Sequence, residues 1–259
     1  EQEAALFAWP ARQPDGAVQR RDIDAAQALL RDAAAMRDRD QLVAAIRSFT
    51  QLLRASLTVQ RRAIERTKPD AARESGYQER DEALIAGQLK QVQRRYAPEV
   101  EKAILAHLLA QYRALPAAQR LPEFDSVFGT TDAEAKAKLD ALYAGTKLGD
   151  EATRLATLND ANVAASTDPM LVAAKTLLPA YVRIEEEGKQ REGELLRLRP
   201  AYMRALTAYN RSQGRAIYPD ANSTLRVSYG RITPMSPRDG VDYRPLTTVQ
   251  GIVEKHTGK

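Results

Sequence analysis

Hydrolytic chemistry needs a base beside a nucleophile, and histidine is the usual base. The sequence contains two histidines, His107 and His256, among 259 residues. Cysteine is absent, which removes thiolate nucleophiles, thiolate metal ligands and disulfides together. Serine chemistry fares no better. The sequence has no Gly-x-Ser-x-Gly elbow and no Gly-Asn-Ser-Gly turn to expose an activated hydroxyl. His107 stands beside Leu108 and one turn from Ile104, the setting of a partly buried structural histidine rather than a base. His256 belongs to the polar terminal stretch Glu254–Lys259 and is expected to be exposed.

Metal and phosphate chemistry are equally short of parts. Glu185, Glu186 and Glu187 form an acidic run, but consecutive helical positions point in different directions and read as a solvated face. No Glu-x-x-His pair and no phosphate-cradling Gly-rich loop occurs. Among 34 acidic residues nothing singles out a carboxylate pair for glycoside chemistry. The sequence therefore offers no catalytic residue, no metal ligand set and no cofactor site. It also leaves the substrate-binding residues unassigned.

Composition describes what must carry such a chain. Hydrophobic residues at 44% and charged residues at 28% fit a folded protein rather than a disordered one. Helix formers dominate, which predicts a mainly α fold. No run approaches the 18 or so apolar residues of a membrane span. The opening Glu1-Gln2-Glu3 has neither the basic nor the apolar region of a signal peptide, nor an initiating methionine; a mature form or an excised portion is expected. The formal charge of +5 is spread rather than clustered. Arg20-Arg21-Asp22 and Arg37-Asp38-Arg39-Asp40 alternate in sign, which argues against a nucleic-acid surface.

Periodicity places the elements. Residues 1–18 read as irregular, followed by helices over Asp22–Asp38 and Asp40–Arg66. Leu42, Ile46, Phe49, Leu53 and Leu57 form the apolar stripe of the second. Thr67–Arg80 is a charged break, and Asp81–Tyr96 is again helical. Pro98 opens a helix whose expected buried face is Val100, Ile104, Leu108, Tyr112 and Leu115. A short helix covers Glu123–Phe128; Thr131 with Glu134 forms a capping box for a helix ending near Gly145. Asp150 caps another short helix. Asp168-Pro169 starts a long helical stretch to about Ser212, with kinks or breaks expected at Pro179 and Pro200. Beyond Gly214, Leu225, Val227 and Tyr229 alternate with Arg226, Ser228 and Gly230 as in a half-buried strand, and 234–245 reads as loops or edge strands. The boundary falls near residue 216.

Two segments are more specified than scaffolding requires: Glu65–Asp81 (ERTKPDAARESGYQERD) and Tyr218–Ile232 (YPDANSTLRVSYGRI). Both resemble segments of the bacterial serine dipeptidyl-peptidases that include dipeptidyl-peptidase 7 and dipeptidyl-peptidase 11. Ser166–Met170 and Asp239–Pro245, with Thr247, Thr248 and Gly251, are further matches in the same order. Ser75 departs from the pattern, where the family prefers proline.

The resemblance implies a chymotrypsin-like double β-barrel with a large helical domain inserted between its halves. Residues 1–216 would be most of that helical cap, and 217–259 the return into the second barrel. Such enzymes release dipeptides from free peptide N-termini in the periplasm or at the cell surface, with a Ser-His-Asp triad and no metal. The triad would lie outside these residues, as would the determinants of side-chain preference. The asparagine that binds the substrate's amino group would lie before Glu1, so none of Asn159, Asn162, Asn210 or Asn222 takes that role. The implied partners are a peptide substrate, the absent barrel halves and a second subunit; neither nucleic acid nor membrane is implied. Tyr77 and Arg80 are expected to fix the loop between two cap helices. The competing reading is a standalone α-helical interaction domain with no catalytic role.

Overall fold

The computed structural model describes residues 6, 7, 9, 16–215, 225 and 227–258. Contacts divide the chain into two units, Glu1–Gln213 and Gly214–Lys259. The first is helical: α1 Gly16–Phe49, α2 Gln51–Glu65, α3 Glu82–Arg95, α4 Pro98–Arg113, α5 Pro122–Phe128, α6 Asp132–Gly145, α7 Glu151–Ala156 and α8 Pro169–Ser212. The chain is mainly α, as composition indicates.

The long helix α8 packs on α1, α2, α5 and α6, while α4 is held between α1 and α6. Their apolar faces form one core, with Ile46, Leu52, Leu53, Leu105, Leu109, Ala174 and Leu177 essentially inaccessible. Phe124 sits at its aromatic centre, with ring centroids 5.3 Å from Tyr112, 5.9 Å from Phe128 and 5.6 Å from Tyr181. Such tilted pairs add about 0.5–1.5 kcal/mol each beyond the area they bury.

Several local signals hold in three dimensions. Pro98 and Pro122 sit in the first turns of α4 and α5. Thr131 and Glu134 close a reciprocal capping box on α6, and Asp150 accepts the Thr153 N–H at the start of α7. Asp168 caps α8 by accepting from the N–H groups of Met170 and Leu171.

Other expectations need correction. The first two helices do not divide near residue 39; α1 runs unbroken to Phe49, and the break is the single residue Thr50, at φ −106° and ψ 125°. Its hydroxyl donates to Ile46 O at 2.6 Å. The new helix start is capped from elsewhere: Glu101 accepts from Gln51 N at 2.5 Å and Leu52 N at 3.1 Å. A cap supplied fifty residues away leaves no local pattern to read. Phe49 faces solvent while Ile46, Leu53 and Leu57 stay buried. On α4 the buried face is Glu101, Leu105, Leu109 and Tyr112; of the expected stripe Tyr112 is buried, Ile104, Leu108 and Leu115 are half-buried and Val100 is exposed. Pro179 and Pro200 do not end α8. Each removes one backbone hydrogen bond, and packing against several helices carries the helix through.

In the second unit, β1 (Met235–Arg238) pairs antiparallel with β2 (Val241–Tyr243), and a short α9 spans Gln250–Lys255. The two strands are joined by Asp239-Gly240, with Gly240 at φ 72°, a conformation suited to glycine. The strand thus lies within the proline-containing stretch and not at 225–230: Leu225, Val227 and Tyr229 have no strand pairing and are exposed. Arg226 and the turn at Tyr218–Asn222 lie outside the described residues.

Candidate functional site

The histidines do not converge on a reaction centre. His107 is exposed rather than partly buried, because the true buried face of α4 runs through Leu105 and Leu109; its Nε2 lies 2.7 Å from Gln111 Nε2. His256 is exposed, as expected.

The dense polar chemistry lies where α2 meets α8 and the loop 66–81. Although α2 is amphipathic, it buries Gln60, Arg61, Arg62 and Glu65 alongside Leu57 and Val59. Gln60 Nε2 donates to Leu171 O at 3.1 Å. Arg62 pairs with Glu82 at 2.7 Å and donates to Leu158 O at 2.8 Å. Arg61 makes a two-pronged pair with Glu185, at 2.5 and 3.1 Å, and its guanidinium lies 5.3 Å from the centre of the buried Tyr77 ring.

Glu185 is therefore not part of a freely solvated face. It shares Lys189 with Glu74 and Glu186, at 2.9, 2.7 and 3.0 Å respectively. Carboxylate oxygens of Glu74, Glu185 and Glu186 all lie within 4.8 Å of one another, the spacing of a cation cage. The Lys189 ammonium occupies that position, and Arg61 adds a second positive charge, so the cluster is neutralised from within. Glu187 turns away to Arg39, at 3.5 Å.

Hydrogen bonding from Arg61 pulls the Glu185 carboxyl down to about 2, against the cost of burial and with help from Lys189. A carboxyl depressed by folding stabilises the fold above its unfolded value and loses that contribution as pH falls. Thermal stability should thus decline as pH drops from about 4.5 toward about 2. Glu185→Gln should flatten that decline in a series of melting curves taken across the same window. A decline of equal steepness in the variant would assign it to other groups.

The loop itself is knitted by carboxylates. Glu65 accepts from Lys68 Nζ at 2.8 Å and from Glu74 N at 2.9 Å. Asp70 accepts from Glu79 N at 2.7 Å and Arg73 Nη1 at 3.1 Å, and Asp81 accepts from Gln78 N at 3.1 Å. Glu74–Tyr77 closes a turn through Tyr77 N to Glu74 O at 3.1 Å, with Gly76 at φ +91°. Ser75 occupies the second position of that turn, where proline also fits.

Tyr77 is buried under Arg61, as its assigned role requires, but Arg80 is not a tie. Its side chain is 75% exposed and its nearest carboxylate, on Asp81, is 4.0 Å away. Arg80→Ala should leave the melting temperature unchanged, whereas Asp70→Ala should cost about 1 kcal/mol by freeing two donors. A drop for Arg80→Ala equal to that for Asp70→Ala would restore the tie to Arg80.

This region sets a surface in shape; among the described residues it brings together no nucleophile and base. Sequence reasoning missed Arg61 and Glu101. Each lies four residues from a buried leucine on its own helix, Leu57 and Leu105, and that phase was their one visible signal.

The Peptidase S46 family matches residues 1–259, and the chain belongs to that family. It is 39% identical over 212 residues to the Asp/Glu-specific dipeptidyl-peptidase of Shewanella putrefaciens, covering 80% of this chain and 29% of the relative. Its identity to the Asp/Glu-specific dipeptidyl-peptidase of Porphyromonas gingivalis is 30% over 162 residues, covering 62% and 22%. With dipeptidyl-peptidase 7 of Phocaeicola vulgatus it is 28% over 165 residues, again 62% and 22%. The chain thus spans less than a third of the length of these relatives.

Proposed function

We propose that this chain is the helical cap, with a short return segment, of a serine dipeptidyl-peptidase that releases dipeptides from free peptide N-termini. The observation that carries the proposal is a family match along all 259 residues, on a helical body without a nucleophile–base pair among its described residues. The cap covers a cleft and limits access to it, and the Ser-His-Asp triad comes from residues beyond these. The carboxylate-knitted loop 66–81 and the buried Arg61–Glu185 pair hold the cap's shape. Residues 217–259 lead into a second β-barrel half. In support, the second unit leaves Leu225, Tyr229, Ile232, Leu246, Val249 and Ile252 exposed, an arrangement suited to packing against more protein. We place the enzyme in the periplasm or at the cell surface and allow it a second subunit, both on the resemblance alone.

Amide exchange tests the return segment. In the isolated chain, 225–258 should exchange rapidly while the core helices stay protected; in the longer protein the same amides should become protected. Equal protection of 225–258 in both would favour a standalone helical interaction domain.

A further inference from the structure

From Leu195 to Arg215 the chain carries Arg197, Arg199, Arg204, Arg211 and Arg215 and no acidic residue. This cationic stretch breaks the sign alternation seen elsewhere. Arg197 is held by Glu194, and on the facing part of α1, Asp22 and Asp24 pair with Arg21 and Arg20. Among the described residues, Arg204 and Arg211 make no ion pair and are exposed. Seven residues apart, they lie on one face of α8, about 10.5 Å along its axis.

Between them lies an open groove of about 580 Å³, lined by Trp9, Met203, Arg204, Thr207, Ala208 and Arg211. The Trp9 ring meets Tyr209 edge-on at 6.3 Å, and Arg20 Nη1 donates to Phe7 O at 2.8 Å, two residues before the indole. The groove therefore has an apolar floor and two guanidinium groups beside it. Carboxylates three residues apart on a polyproline II chain share one face about 9 Å apart, close to the arginine spacing. A nucleic acid would want a longer stripe of one sign, and the mixed charge of the remaining surface does not supply it.

We propose that this groove binds an acidic peptide in the polyproline II conformation, with carboxylates three residues apart on Arg204 and Arg211 and its backbone across Trp9. Its peptide character rests on the peptidase reading above. Trp9 is the only tryptophan in the sequence, so its emission reports the groove directly.

The test titrates the 259-residue chain with an N-acetylated hexapeptide bearing aspartates three residues apart, with its lysine counterpart as control. The acidic peptide should change Trp9 emission saturably, and about 0.5 M salt should abolish the change. The pair Arg204→Ala/Arg211→Ala should weaken binding at least about tenfold with helical circular dichroism unchanged. Thr207→Glu, which puts a like charge on the floor and spares both arginines, should do the same if the double variant loses helicity. No response, an equal response to the lysine peptide, or wild-type affinity in both variants would overturn the site. Tighter binding of a single-stranded oligonucleotide would overturn it in favour of nucleic acid. Dipeptide release by the longer protein is scored separately. Binding without release removes the peptidase reading and keeps the groove; release without binding removes the groove alone.

Discussion

Glu101→Ala should lower the unfolding free energy by about 3–5 kcal/mol and the melting midpoint by roughly 6–20 °C. Glu101 is 3% exposed, and its two oxygens accept from Gln51 N, Leu52 N and the Tyr143 hydroxyl. Alanine leaves all three donors in a nearly dry site, where each unsatisfied group costs about 1–3 kcal/mol. It also uncaps α2 where Thr50 has already broken the backbone path. Glu101→Gln should recover part of the loss, since one amide oxygen can still accept. Burial holds the Glu101 carboxyl above the usual carboxylate range, although the Gln51, Tyr143 and Leu52 donors oppose it. Its sign is thus opposite to that of Glu185: the site gives up stability as pH rises through the elevated value, and Glu101→Gln should remove that slope. A melting midpoint unchanged in Glu101→Ala would mean that α2 starts without help from α4.

Arg154→Met should cost about 2–4 kcal/mol, read from chemical denaturation. Arg154 is 1% exposed and has no carboxylate within ion-pair distance among the described residues. Its guanidinium donates to Leu89 O at 2.8 Å and Leu148 O at 2.6 Å, with Gly149 O and Asp150 O farther off at 3.3 and 3.4 Å. It thereby ties α3 to the turn that starts α7. Methionine fills similar space but leaves those carbonyls unpaired. Replacing a buried ion pair by apolar residues can be neutral when both partners go; here the acceptors are backbone and stay. A loss below about 0.5 kcal/mol would mean that water reaches the carbonyls once the guanidinium is gone.

These two residues mark where the sequence stops being readable. Features that depend on neighbours within one turn were legible: the Thr131–Glu134 capping box, the Asp150 and Asp168 caps, and the prolines opening α4 and α5. Features closed over long separations were not. Thr50 looks like an ordinary helical threonine until Glu101 is placed against the N–H groups that follow it. The same distance effect shifted part of the buried face of α4 and hid the Lys189 centre of the Glu74–Glu185–Glu186 cluster. Alternation misled at 225–230, because a strand pattern needs a pairing partner as well as a period. The family was legible through four short ordered segments, although Glu65–Asp81 owes its density to loop-fixing hydrogen bonds and not to catalysis.

Hydrolysis of fluorogenic dipeptidyl substrates, with acidic and apolar residues at the second position, tests the central claim most directly. The 259-residue chain is compared with the longer protein that contains it. The cap reading predicts release only by the longer protein, abolished when the substrate's N-terminus is acetylated. Release by the 259 residues alone, or none by a longer protein shown to be folded, would contradict it.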